Sequence, residues 1–176
     1  MPNTLKTCCF TGHRTAALPW GDNENHPACL LLKERLEVNI KTAILCGYRH
    51  FIFGAALGVD TYVGEILLAL KKLYPYITIE AAIPCASQSN LWRPADKLRY
   101  KKIIESCDKR TLVSVAYTHF CMHLRNRYMV NNSSLLIAAV SRGSRGGTQS
   151  TIDYARKKGV RTLILPIDPV YVQNLG

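Results

Sequence analysis

Apolar positions along the chain alternate between two periods. Short runs at 7–10, 50–53, 78–83, 111–115, 135–140 and 161–165 have the length and β-favouring composition of strands, and 135–140 is apolar at every position, as a strand buried on both faces would be. Between these runs the apolar residues fall three and four apart. Leu32, Leu36, Ile40 and Ile44 form one helical stripe, opened by Pro27 and closed by Gly47. Val63, Ile66, Leu67 and Leu70 form another, with Pro75 just past its end. Further helices are expected over 94–107, over 122–131, and from a Thr148 cap through Ile152, Tyr154 and Ala155 to Gly159. Strands alternating with helices predict an α/β fold, a parallel sheet sandwiched between helical layers.

In such a sheet every strand-to-helix loop falls at the carboxyl edge, where ligands occupy the crevice near the reversal of strand order. Three of these loops carry glycine. The first is Gly12-His13-Arg14, where Gly12 permits a tight turn, His13 can carry a proton and Arg14 can grip a phosphate with two parallel bonds. The second runs from Gly54 through Gly58 to Asp60, a residue that would either cap the next helix or enter the site. The third is Gly146-Gly147-Thr148, preceded by Arg142 and Arg145. Its glycines allow close backbone approach, and the helix start offers unpaired N–H groups to an anion. Gln88 and Trp92, on the exit from the third strand, are placed to hydrogen-bond or stack on a base, and the helix expected over 122–131 presents Arg125, Asn126 and Arg127. Residues 16–25, with Pro19, Gly21 and Asp22, form a loop able to cover such a site.

Composition narrows the setting. A chain of 176 residues, 48% hydrophobic and 20% charged, suits one globular domain over 1–176. Its apolar runs stop far short of the roughly 20 residues of a membrane helix, and the N-terminus has no signal-type apolar region, so a cytoplasmic protein with no membrane partner is expected. The seven cysteines are odd in number and scattered, which argues against a disulfide framework. His119, Cys121 and His123 have no second ligand cluster near them, so no metal is expected. A net charge of +11 favours anionic partners without choosing among them. Lys101, Lys102 and the 156–158 run sit on solvated helix faces.

Taken jointly, Thr11-Gly12-His13-Arg14, the 54–60 segment with Glu65, Pro84 with Gln88 and Trp92, the run Arg125-Asn126-Arg127-Tyr128-Met129-Val130, and Gly146-Gly147-Thr148 resemble the SLOG superfamily. That superfamily joins the DNA-processing protein DprA to the LOG cytokinin-activating enzymes, and the similarity is to its YpsA-like branch. The resemblance implies a Rossmann-like three-layer sandwich, a largely parallel sheet of about six strands in the order 3-2-1-4-5-6, and a pocket for a nucleotide or nucleotide-derived molecule. No particular reaction or cofactor follows from it. Two positions depart from the pattern. The LOG-type loop carries a glutamate three residues beyond its threonine, where this chain has Thr151, and Asn131 stands where the YpsA-like pattern carries aspartate.

The leading expectation is a nucleotide-ligand-binding protein, a sensor or regulator, in which Arg14 and the Gly146 loop hold phosphate. A hydrolase of N-glycosidic or phosphate bonds would use Glu65 or His13 as acid or base. The DprA-like segment and the positive charge leave weak single-stranded nucleic-acid binding as a third reading, and self-association is open.

Overall fold

A computed structural model describes residues 6–168. Six strands pair in parallel: β1 (Thr7–Gly12), β2 (His50–Phe53), β3 (Thr78–Ile83), β4 (Lys109–Leu112), β5 (Leu135–Val140) and β6 (Arg161–Pro166). Helices α1 (Pro27–Leu45), α2 (Val59–Leu73), α3 (Pro94–Glu105), α4 (Cys121–Asn131) and α5 (Gly147–Lys157) connect them. This is the α/β sandwich expected from the alternating pattern, in the Rossmann-like form that the resemblance implies.

Strand alternation splits the core in two. Cys8, Phe10, Phe51, Phe53 and Ile79 pack against Leu36, Ile40, Val63 and Leu67 of α1 and α2. Cys9, Ile52, Ala82, Leu136 and Ala138 face the other way, onto Met129 and Val130 of α4 and Ile152 and Ala155 of α5. Neighbouring Cys8 and Cys9 are both fully buried, one in each half. Pro27 opens α1, and the His26 imidazole caps it by accepting the Ala28 N–H at Nδ1, 3.1 Å away.

The strand order is β4-β3-β2-β1-β5-β6, so the fourth strand lies at the edge beside β3 and not next to β1, as the 3-2-1-4-5-6 order would have it. The strand also occupies Lys109–Leu112 and not the expected 111–115, and Val115 is 89% exposed. Composition explains both differences. Lys109 and Arg110 would be costly to bury in the sheet interior, whereas an edge leaves their side chains in water. Lys109 and Thr111 also fix the strand's place by bonding to Glu80 of β3, at 3.1 and 2.6 Å. Glu80 is 1% exposed and is completed by His50 Nε2 at 2.8 Å and the Tyr128 hydroxyl at 2.6 Å. These four partners hold its carboxyl at about 2, below the usual 4.5, against the opposing effect of burial.

The chain therefore steps outward from β1 to β4 and returns to β5. The reversal falls between β1 and β5, the two strands whose following loops carry His13, Arg14 and the Gly146-Gly147 pair.

Candidate functional site

A cleft of about 370 Å³ opens at this reversal. Gly12, His13 and Arg14 line it from β1, Asp60 from α2, Arg125 and Asn126 from α4, and Gly146, Gly147 and Thr148 from α5. The glycine loops do converge.

Several of these residues act differently from their expected roles. Gly12 is the last residue of β1 and not a turn; a Cβ there would lie 2.5 Å from the Val59 side chain, so its smallness lets α2 pack onto the strand. Thr148 and Asp60 are not caps. Gly146 precedes α5 with φ 132° and Gly58 precedes α2 with φ 89°, which places both polar residues inside the first helical turn. At Gly58 space is limiting as well as conformation, since a Cβ would stand 2.5 Å from the His13 carbonyl oxygen. That carbonyl accepts the Val59 N–H at 3.1 Å, which ties the first loop to the start of α2. The amino end of α5 is different. Its first-turn N–H groups have no carbonyl four residues back to bond, and they open on the cleft lined by Gly147 and Thr148.

The floor is an ion pair. Asp60 is 9% exposed and Arg125 5%; Asp60 Oδ2 lies 3.5 Å from Arg125 Nη1 and accepts the Ala56 N–H at 3.2 Å. Arg125 Nη1 also donates to the Gly54 carbonyl. A side chain at position 54 would overlap the guanidinium, so this glycine is required by an arginine distant in sequence. Burial opposes both charges, lifting the Asp60 carboxyl and drawing the Arg125 guanidinium down, and their attraction offsets only part of it. Arg125 nonetheless stays charged, because a guanidinium starts from so high a value. Ala55, between these contacts, takes a left-handed φ of 53°.

Arg14 and Arg145 are exposed at the mouth, and among the described residues neither guanidinium makes a hydrogen bond or ion pair. His13 is half-buried; its Nε2 accepts the Ser141 N–H at 3.1 Å, and burial lowers its pKa from 6.5 against the opposing influence of Asp168.

Other expected members lie elsewhere. Gln88 and Trp92 line an adjoining cavity of about 220 Å³ with Arg14, Leu57 and Met122. Glu65 is held by the side-on edge of Arg99, with Nε and Nη2 at 2.6 and 2.7 Å from its two oxygens, and does not line the cleft. Of the 16–25 segment, Ala17 lines the cleft and Ala16 the adjoining cavity, and the rest turns away from both. Leu18 and Trp20 are buried, and Gly21, Asp22 and Glu24 line a separate cavity of about 260 Å³ with Tyr62, Arg99 and Tyr100. Ala55 to Gly58 of the second glycine loop form one wall, and sequence reading missed the cavity because Asp22, Glu24, Arg99 and Tyr100 share no motif with that loop. Thr151 donates to the Gly147 carbonyl at 2.8 Å and accepts from the Asn126 amide at 3.0 Å, so it braces the α5 loop against α4. Asn131 accepts the Tyr154 hydroxyl at 2.9 Å and joins the same two helices. Among the described residues no group of three or more His, Cys, Asp or Glu side chains could hold a metal ion, and no helix is long and apolar enough to cross a membrane.

The sequence profile of the YspA SLOG family (YpsA) matches residues 8–171, which include every loop of the cleft. The chain belongs to this family. It is 25% identical over 160 residues to a UPF0398 protein of Halalkalibacterium halodurans, covering 88% of this chain and 82% of that one. It is 31% identical over 145 residues to the uncharacterised prophage-derived protein YoqJ of Bacillus subtilis, covering 75% and 84%. A UPF0398 protein of Bacillus cereus is 23% identical over 161 residues. In this SLOG chain the matched segment spans the sheet from β1 to β6, so the family is matched in the whole fold and not in one loop.

Proposed function

We propose that this SLOG protein binds a nucleotide or nucleotide-derived ligand, with its phosphate in the cleft between β1 and β5. One observation carries the reading. The unpaired amino end of α5 and two unpartnered arginines, Arg14 and Arg145, converge on one opening at the reversal of strand order. The adjoining cavity at Gln88 and Trp92 gives the base a place. Gln88 already donates to the Ala55 carbonyl at 3.0 Å, and its amide oxygen has no partner among the described residues.

Binding without hydrolysis is favoured by what surrounds the acid candidates. Glu65 is engaged by Arg99 outside the cleft, Thr151 stands where a LOG-type carboxylate would, and the His13 Nε2 lone pair is taken by Ser141. A ligand-sensing or regulatory role follows. The test is mass spectrometry of small molecules carried through native purification, followed by titration of the species found into wild-type and Arg14→Ala protein. Loss of a charge-assisted phosphate contact of roughly 1.5 to 3 kcal/mol lowers affinity about tenfold or more. Unchanged affinity in Arg14→Ala and in Gly147→Val would remove these loops from the site.

A further inference from the structure

The cavity of about 260 Å³ beside Tyr62 and Tyr100 takes no part in the phosphate site. It lies across the second glycine loop from the cleft, and Ala56 and Leu57 line both. Phe53, Tyr62 and Ile103 give it an apolar, buried lining, to which half-buried Tyr100 adds a second phenol ring. The turn at 21–24 supplies a further wall, strapped towards α3 by side chains. Arg93 Nη1 reaches Asp22 at 2.9 Å, and Arg99 Nη2 reaches Glu24 at 3.0 Å. Among the described residues the backbone of this turn bonds only within 18–26. Asp22 and Arg93 are both well exposed, and pairs of that kind hold weakly, so entry past them costs little.

The lining decides what can enter. Asp22, Glu24 and Asp96 set three carboxylates against the guanidiniums of Arg93 and Arg99, whereas the cleft sets Arg14, Arg125 and Arg145 against Asp60. Phosphate is therefore disfavoured here. A cation finds no carboxylate free of an arginine, since Arg93 takes Asp22 and Asp96 and Arg99 takes Glu24. A wholly apolar ligand would cover those carboxylates without replacing the water on their remaining lone pairs. An uncharged flat ring with N–H donors at its edge meets both the aromatic lining and the rim. The volume, below the roughly 300 Å³ at which small-molecule pockets begin, suits one ring system better than a whole nucleotide.

We infer that this cavity is a second ligand site, for an uncharged nitrogen heterocycle of nucleobase size, separate from the phosphate-bearing ligand of the cleft. The two readings stand on different residues and fail separately.

The chain's two tryptophans report on it. Trp20 Nε1–H donates to the Tyr62 hydroxyl at 3.3 Å, and the Trp92 ring meets Tyr100 edge-on with centroids 5.2 Å apart. Adenine, cytosine, uracil and hypoxanthine are titrated into the full chain while both indole N–H resonances are followed by NMR. At least one base is expected to shift the Trp20 signal saturably, with equal affinity in excess inorganic phosphate and in Arg14→Ala. Asp22→Ala, a change at an exposed position, is expected to weaken that binding about tenfold, and Ile103→Phe, which fills the lining, to abolish it. No saturable shift with any of the four bases, or binding unchanged in both variants, would overturn the second site. A shift of Trp92 alone would place the base in the Gln88 cavity and overturn it too. Binding competed by phosphate or lost in Arg14→Ala would place the base in the cleft, overturning this inference and leaving the phosphate reading standing. If Ile103→Phe fails to fold, Asp22→Ala and the phosphate competition decide.

Discussion

His13 Nε2 accepts the backbone N–H of Ser141 at 3.1 Å, a bond that joins the loop after β1 to the first residue of the loop after β5. Only an unprotonated Nε2 can accept, so the ring is neutral with its proton on Nδ1, and protonation would break the link between the two loops.

His13 therefore makes the site sensitive to acid. Its folded pKa lies below 6.5, so the unfolded chain takes up the proton first as pH falls. The stability His13 contributes is present above pH 6.5 and is lost as pH falls through the lowered value. Thermal denaturation between pH 5 and 8 should show this slope in wild type and lose that component in His13→Gln, whose amide oxygen still accepts but does not titrate. An identical slope in both would show that the histidine is not its source.

Glu80 gives a second, more acidic window. Its carboxyl is held at about 2 against an ordinary 4.5, so its contribution is present above pH 4.5 and is lost as pH falls towards 2. A shift of that size corresponds to on the order of 3 kcal/mol. Glu80→Gln should lower the melting temperature at pH 7 by several degrees and narrow its gap to wild type near pH 2. A constant gap across this range would mean the carboxylate is not the stabilising group.

Two glycines of the site should separate stability from binding. Gly54→Ala drives a methyl into the Arg125 guanidinium and should cost about 1 to 3 kcal/mol, whereas a Cβ at Gly147 meets nothing within 4 Å. Gly147→Ala should therefore melt within a degree or two of wild type, and any loss of nucleotide affinity in it reports on the loop itself. Equal melting temperatures for the two variants would contradict the packing at Gly54.

Adenosine and guanosine monophosphates should be returned intact after prolonged incubation. Cleavage of the base from ribose needs a placed carboxylate or proton donor, and Thr151, with its hydroxyl shared between Gly147 and Asn126, is neither. Turnover near about 1 per second, abolished by Glu65→Gln, would identify a hydrolase and mean that Glu65 leaves Arg99 to act.

Most of this fold is legible in the chain because β1, β5 and the helices announce themselves by period. β4 does not. Its residues are mostly polar because it is an edge, and Val113 and Val115 just beyond it imitate a strand, so both its bounds and its place in the order differ from expectation. The anion loops are legible because glycine, arginine and a helix start lie together in sequence. The Arg125–Gly54 contact spans 71 positions, and neither residue signals the other until the sheet brings them together. Glu65 misled for the opposite reason: it stands beside the second glycine loop in sequence, yet the helix turns it towards Arg99.

Cys8 and Cys9 turn the two-sided core into its own reporter. Each thiol is sealed in a different half, and burial pushes both up, Cys9 to about 12, so neither reacts while its half stays closed. Exposed Cys46 sets the background rate of alkylation. Site-resolved labelling under mild denaturant would then time the release of the α1–α2 layer separately from the α4–α5 layer. Adjacent residues of one strand thus serve as independent clocks for the two faces of the sheet.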